Sequence, residues 1–207
     1  MLNIYGQNLR PHKALDAIIN ATSAYEEKTL KKWQKISTKE CEYIHIILEG
    51  NVEFRRESDE LCVFSLRGHC IFGIASIYHK ATHMYGLVRD KTVVRSIRKE
   101  EFLEVITQQN LWPELSEVMA WYICLMSKRD DLLVARNAYS VVREFLLEIN
   151  ELIVNQQRDI NVYDYIQEYT NLARSTIIKI LSDLKKGRYI VVEKGRLLNI
   201  TTLPERY

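Results

Sequence analysis

Arg174, Ser175, Ile178 and Lys179 stand at i, i+1, i+4 and i+5, which is one side of an α-helix. Ala173, Ile177, Ile180, Leu181 and Leu184, at i, i+4, i+7, i+8 and i+11, form the opposite, apolar side. On a helix that enters the major groove of DNA, Arg174 has the planar fork that pairs with guanine or clamps a phosphate. Lys179 does either as a point charge. Lys185 and Lys186 add two cations at the end of the same helix, and Gly187 follows as its expected terminator. The chemistry these residues suggest is recognition of double-stranded DNA.

Such a helix must be held out by a partner, and the preceding residues supply one. Asn161 is placed to cap a helix with Val162, Ile166 and Tyr169 on one face. Asn171 lies at the turn, where a residue tolerant of left-handed backbone is wanted. Beyond the second helix, residues 189–192, the Lys194-Gly195 turn and residues 197–200 read as a two-stranded wing. A generic helix pair with a solvated basic face shares the periodicity. The wing and the turn favour a winged helix-turn-helix over roughly residues 155–207. Residues 158–207 carry nine Lys/Arg against six Asp/Glu, and the rest of the chain 20 against 21, so the slight basic excess sits with this motif.

Other clusters offer less. His79 and His83 are four apart with His69 and Cys70 near, but in a predicted loop that spacing does not converge ligands, so no metal is assigned. Cys41, Cys62, Cys70 and Cys124 lack any C-x-x-C spacing and read as buried thiols. Cys62 and Cys70 remain candidates for peroxide chemistry, although no flanking Lys/Arg pair or helix start lowers their thiol pKa. No nucleophile–base set or phosphate-cradling glycine loop is present, so no catalytic residue, enzyme activity or cofactor is expected. With 207 residues, 47% hydrophobic and 27% charged, the chain has the composition of an ordinary folded protein. It shows no signal-peptide pattern, and its longest apolar run, residues 118–126, is about half a bilayer span, so a cytoplasmic protein without membrane contact is expected.

The remaining two thirds must carry and space this unit. A short helix over residues 9–26 precedes strand signals that run to residue 97. Ile44, Ile46 and Leu48 alternate with Tyr43, His45 and Ile47, as in a half-buried strand. Ser58-Asp59-Glu60 reads as a hairpin turn, and residues 92–97 as the last strand. Short strands at this spacing suggest a β-roll or small barrel. Residues 100–110 form a short helix, and Pro113 suits the first turn of a longer one reaching residue 136. In it Leu115, Val118, Tyr122, Leu125, Arg129 and Leu132 approximate a heptad stripe, while residues 118–126 are apolar nearly all round. The roll can cover one side. A second subunit meeting the stripe is the preferred cover for the other, with a core helix in a monomer as the alternative. Residues 141–155 form a further amphipathic helix. The fold class is therefore α+β: a roll over residues 1–110, a central helix over 111–137 and a winged helix-turn-helix over 138–207.

This order resembles the superfamily of the cyclic AMP receptor protein and the fumarate/nitrate reductase regulator (Crp/Fnr). The likeness is carried by residues 43–52, by Ile71-Phe72-Gly73, by Val88-Arg89-Asp90-Lys91-Thr92 and by residues 174–184, and spans nearly the whole chain. Within it, Cys70-Ile71-Phe72-Gly73-Ile74-Ala75, Lys186-Gly187-Arg188-Tyr189-Ile190 and Leu203-Pro204-Glu205-Arg206-Tyr207 look like the enterobacterial IprA-type regulators, named as inhibitors of hydrogen peroxide resistance. The resemblance implies a cyclic-nucleotide-binding-like roll, a central dimerisation helix, a homodimer on an inverted-repeat DNA site and a link to oxidative stress.

The chain also departs from that pattern. Members that bind cyclic nucleotide use a Gly-Glu pair for the ribose and an Arg-Ser pair for the cyclic phosphate. Aligned on Gly73 and Val88, this chain has Ile74 in the Glu position and Met84 and Tyr85 in the Arg-Ser positions. A buried phosphate without cation or donor costs several kcal/mol, so Gly73, Ile74, Met84 and Tyr85 read as a degenerate pocket that rejects cyclic AMP. The cysteine cluster of oxygen-sensing members is absent. Ala173 replaces the usual Ser cap of the reading helix, worth about 1 kcal/mol unless Thr170 or Asn171 substitutes. Three functions follow: a dimeric regulator with the roll as scaffold, a sensor acting through an apolar ligand or thiol in the roll, or an interaction module contacting RNA polymerase.

Overall fold

A computed structural model describes residues 9–37, 42–79, 83–133, 137–156 and 160–205. Its first half is built from short, half-buried strands that pair with close neighbours. Helix α1 (His12–Ala21) is followed by β1 (Glu27–Leu30), β2 (Lys35–Ser37), β3 (Tyr43–Glu49), β4 (Asn51–Arg56) and β5 (Cys62–Arg67). Strand β6 (Cys70–Phe72), a 3-10 turn (Ile74–Ile77), β7 (Met84–Val88) and β8 (Thr92–Arg98) complete the set. They form two four-stranded antiparallel sheets, ordered β1-β8-β3-β6 and β2-β7-β4-β5. Phe54 of β4 meets Phe72 of β6 at 4.9 Å, joining the sheets through their apolar faces. The β3–β4 turn depends on Gly50, at φ +91°, where a Cβ would collide with Thr92 and the Lys91 carbonyl.

Strand β3 departs from simple alternation. A bulge in its pairing with β8, between Ile47 and Glu49, buries Ile46 and Ile47 in succession and leaves Leu48 half-buried. Helix α2 (Lys99–Gln108) then leads to α3 (Trp112–Leu133), with Pro113 in its first turn as expected. The predicted continuation of α3 over residues 134–136 lies outside the described residues. The chain divides into two compact units, and the division falls inside α3, between Met126 and Ser127.

The second unit contains α4 (Ala138–Gln156), α5 (Val162–Tyr169), α6 (Arg174–Lys186), β9 (Ile190–Glu193) and β10 (Arg196–Ile200). Helix α4 buries Val142, Phe145, Leu146, Ile149 and Leu152, a spacing of three and four that gives one continuous apolar side. The hydroxyl of Tyr139 donates to the Pro204 carbonyl at 2.6 Å, tying the start of α4 to the C-terminal segment. Among the described residues no helix is long and apolar enough to cross a membrane.

Candidate nucleic-acid interface

The support beneath the reading helix starts at Asn161. Its Oδ1 accepts from the backbone N–H groups of Tyr163 at 3.0 Å and Asp164 at 3.3 Å, which starts α5 with a side-chain cap. Helix α5 buries Val162, Ile166 and Tyr169. Tyr169 packs against Tyr165 at 4.7 Å and Phe145 of α4 at 6.1 Å, and the Tyr165 hydroxyl donates to buried Glu148 at 3.1 Å. The wing is tied to the same point. Val162 N–H donates to the Gly195 carbonyl at 2.8 Å, and Gly195, at φ +82°, has no room for a Cβ beside Asn161.

Helix α6 buries Ile177, Ile180, Leu181 and Leu184 and exposes Arg174, Ser175, Ile178, Lys179, Lys185 and Lys186. The apolar side expected from the sequence also included Ala173. That assignment is corrected: Ala173 is exposed and extended, at φ −60° and ψ 138°, one residue before the helix starts. It supplies no cap, and Thr170 does not replace it: the Thr170 hydroxyl donates to the Ile166 carbonyl at 2.7 Å and accepts from Leu172 N–H at 3.4 Å, which lies before the helix. Asn171 takes no left-handed backbone either; the extended conformations of Thr170 and Ala173 make the bend. At the other end Gly187 is right-handed and Arg188, at φ +59°, is the left-handed residue. Tyr189 N–H then reaches the Leu184 carbonyl at 2.9 Å and Arg188 N–H the Lys185 carbonyl at 3.0 Å, closing the helix end. Gly187 is needed because the Tyr189 ring lies over it. Lys194 and Arg196 are exposed at the wing turn. The sequence marks Lys194-Gly195 as this turn, and Arg196 adds a second exposed cation directly after it.

In the roll, a pocket of about 280 Å³ is lined by Phe54, Phe64, Phe72, Met84, Met119 and Ile123, with Gly73 and Ile74 among its other walls. None of its twelve lining residues carries a charge. Its polar side chain, Tyr122, is already engaged: the phenol donates to the Ile71 carbonyl at 2.8 Å and accepts from Ile71 N–H at 3.1 Å. Burial pushes that phenol well above its ordinary pKa. Tyr85 does not line this pocket. Neighbouring residues of a strand point to opposite faces, and the Tyr85 ring lies beneath Lys35 at 4.3 Å with its hydroxyl 3.4 Å from Glu60.

The thiols expected as redox candidates are enclosed. Cys70 is fully buried, and desolvation pushes its pKa up to about 12. Cys62 is buried with Sγ donating to the Phe64 carbonyl at 3.6 Å. For Cys70 that burial opposes formation of a reactive thiolate. Cys124 is exposed, and Cys41 lies outside the described residues. His69 Nδ1 is 3.0 Å from Asp16, and no group of three or more His, Cys, Asp or Glu among the described residues is arranged to hold a metal ion.

The heptad positions of α3 are mostly covered by their own chain. Leu115, Val118, Leu125 and Leu132 are buried within the single chain, Tyr122 is bonded to Ile71, and Arg129 is half-buried. Periodicity located an apolar side of the helix and could not say which surface covers it. Besides Trp112 at its start, the large apolar residues of α3 that stay exposed are Met119, at 42%, and Ile123, at 65%, flanked by Ser116, Ala120, Cys124 and Ser127.

A two-sheet roll, a long helix and a winged helix-turn-helix together make the fold seen in solved regulators of the Crp/Fnr type, as the comparisons show. The family model for winged helix-turn-helix DNA binding matches residues 138–205. The fold is similar to that of the c-di-GMP responsive global regulator CLP of Xanthomonas campestris, with a TM-score of 0.70 at 10% identity over 90% of this chain and 100% of that one. It is also similar to a transcriptional regulator of the CRP/FNR family from Thermus thermophilus, with a TM-score of 0.57 at 17% identity over 84% and 94%. The chain belongs to the family of the inhibitors of hydrogen peroxide resistance. It is 30% identical to the Salmonella typhimurium member over 163 residues, 78% of each chain.

Proposed function

We propose that this chain is a cytoplasmic transcription regulator that binds an inverted-repeat DNA site as a homodimer, takes no cyclic nucleotide and acts in the response to hydrogen peroxide. The observation that carries the reading is the division of α6, whose core side is fully used while Arg174, Ser175, Ile178 and Lys179 remain exposed together. Lys185, Lys186, Lys194 and Arg196 supply phosphate-binding charge around that face. The peroxide connection comes from the name of the relatives. The test is a salt-titrated binding series on specific and scrambled duplexes with the Arg174→Ala/Lys179→Ala double variant. Both side chains are exposed, so the fold should persist by circular dichroism while binding falls at least tenfold. A folded double variant with unchanged affinity overturns the reading.

The two-fold would run along the exposed side of α3, through Met119 and Ile123, and set two reading helices about 34 Å apart. Ile123→Glu should give a folded monomer in sedimentation, since the residue is not part of the chain's own core. A second reading, in which the roll is a sensor, is favoured by the uncharged pocket. Its lining suits a compact neutral apolar molecule and offers nothing to a cyclic phosphate. Native mass spectrometry of freshly purified protein would reveal a retained ligand. Cyclic AMP and cyclic GMP at millimolar concentration should leave the melting temperature unchanged.

A further inference from the structure

The exposed side of α6 has a restricted vocabulary. Arg174 and Lys179 donate, which suits the O6 and N7 acceptors of guanine. Ser175 donates or accepts and so discriminates weakly. The side chains that pair with adenine through two bonds, Asn and Gln, do not occur between residues 174 and 186. The one carboxylate of the helix, Asp183, lies 3.7 Å from Lys186. What remains is Ile178, 45% exposed, one turn beyond Arg174 and next to Lys179.

The mark that an apolar side chain can read in the major groove is the C5-methyl of thymine. We propose that Ile178 is a specificity-determining residue that packs on one thymine methyl in each half-site, so the chain selects sites combining guanine with thymine. The inference rests on the DNA-binding reading above. Arg174 and Ile178 are four residues, or about 6 Å, apart along the helix, one turn along the same exposed face. A guanine bound by Arg174 and a thymine met by Ile178 then fall within one half-site.

The test begins with in vitro selection from randomised duplexes, using the full chain. In the enriched duplex each thymine is replaced singly by deoxyuridine, which removes the methyl and leaves every hydrogen-bonding group. One position per half-site should weaken binding about fourfold, the effect of burying one methyl. The same replacement should have no effect on Ile178→Ala, and 5-methylation of a cytosine placed there should restore part of the loss for the native chain. The base change lies in the DNA, so the result does not depend on a variant that folds. Equal affinity at every thymine-to-deoxyuridine position overturns the role of Ile178, as does an Ile178→Ala chain that keeps the native penalty. Failure to enrich any duplex overturns the DNA-binding reading itself and this inference with it.

Discussion

Cys70 should be inert in the native protein, and the size of the effect follows from its surroundings. With the thiol pushed up to about 12, roughly one molecule in 10,000 is thiolate at pH 8. An ordinary thiol with a pKa of about 8.5 is about one quarter ionised at that pH, so Cys70 is slowed on the order of a thousandfold by ionisation alone. Burial within β6 slows it further. The assay is iodoacetamide alkylation at pH 8 followed by tryptic peptide mapping, in which residues 68–80 form one peptide. In urea Cys70 should label within minutes, and in buffer it should stay unlabelled for hours. Between pH 8 and 9 the native rate should rise about tenfold with the thiolate fraction. Because the folded pKa lies above the unfolded one, the buried thiol favours the folded state fully below about pH 9, and this contribution fades as pH rises toward 12. Native labelling within tenfold of the rate in urea would refute the burial argument and reopen Cys70 as a peroxide target.

Three other outcomes follow from single contacts. Tyr122→Phe removes both bonds to Ile71 at the edge of β6, and should cost about 2–4 kcal/mol in urea unfolding with loss of hydrogen-exchange protection at the Ile71 amide. A cost below about 0.5 kcal/mol would show that water replaces the phenol. Ala173→Ser supplies the cap that α6 lacks and should raise stability by about 1 kcal/mol, read as a higher denaturation midpoint at constant m. If two copies meet along the exposed side of α3, copper-catalysed oxidation should join them through Cys124, giving a reducible dimer that Cys124→Ser abolishes. Cross-linking that survives Cys124→Ser would place the two-fold elsewhere.

Local pattern was enough for the DNA-binding third. The caps, turns and helix faces there lie within a few residues of one another, so Asn161, the buried set of α6 and the wing turn were all legible by spacing. Its errors were single positions at helix ends, Ala173, Asn171 and Arg188, where hydrogen-bond closure chooses among residues of similar propensity. The roll was legible only as a class. Alternation marked Ile44 and Ile46 as inward, but the bulge opposite β8 carried Ile47 inward as well, and a bulge depends on the partner strand.

By itself the sequence determined the elements, the order of roll, helix and winged unit, and the absence of charge at Ile74 and Met84. Tertiary structure alone decided what covers what. Leu115, Val118 and Leu125 are apolar whether a second subunit or their own chain meets them, and the fold buries them in its own core. Tyr85 and Met84 are neighbours in sequence, yet strand geometry sends Met84 to the pocket and Tyr85 to Lys35 and Glu60. Cys70 carries no mark of its environment in sequence, and its thiol is silenced by the desolvation that only packing imposes.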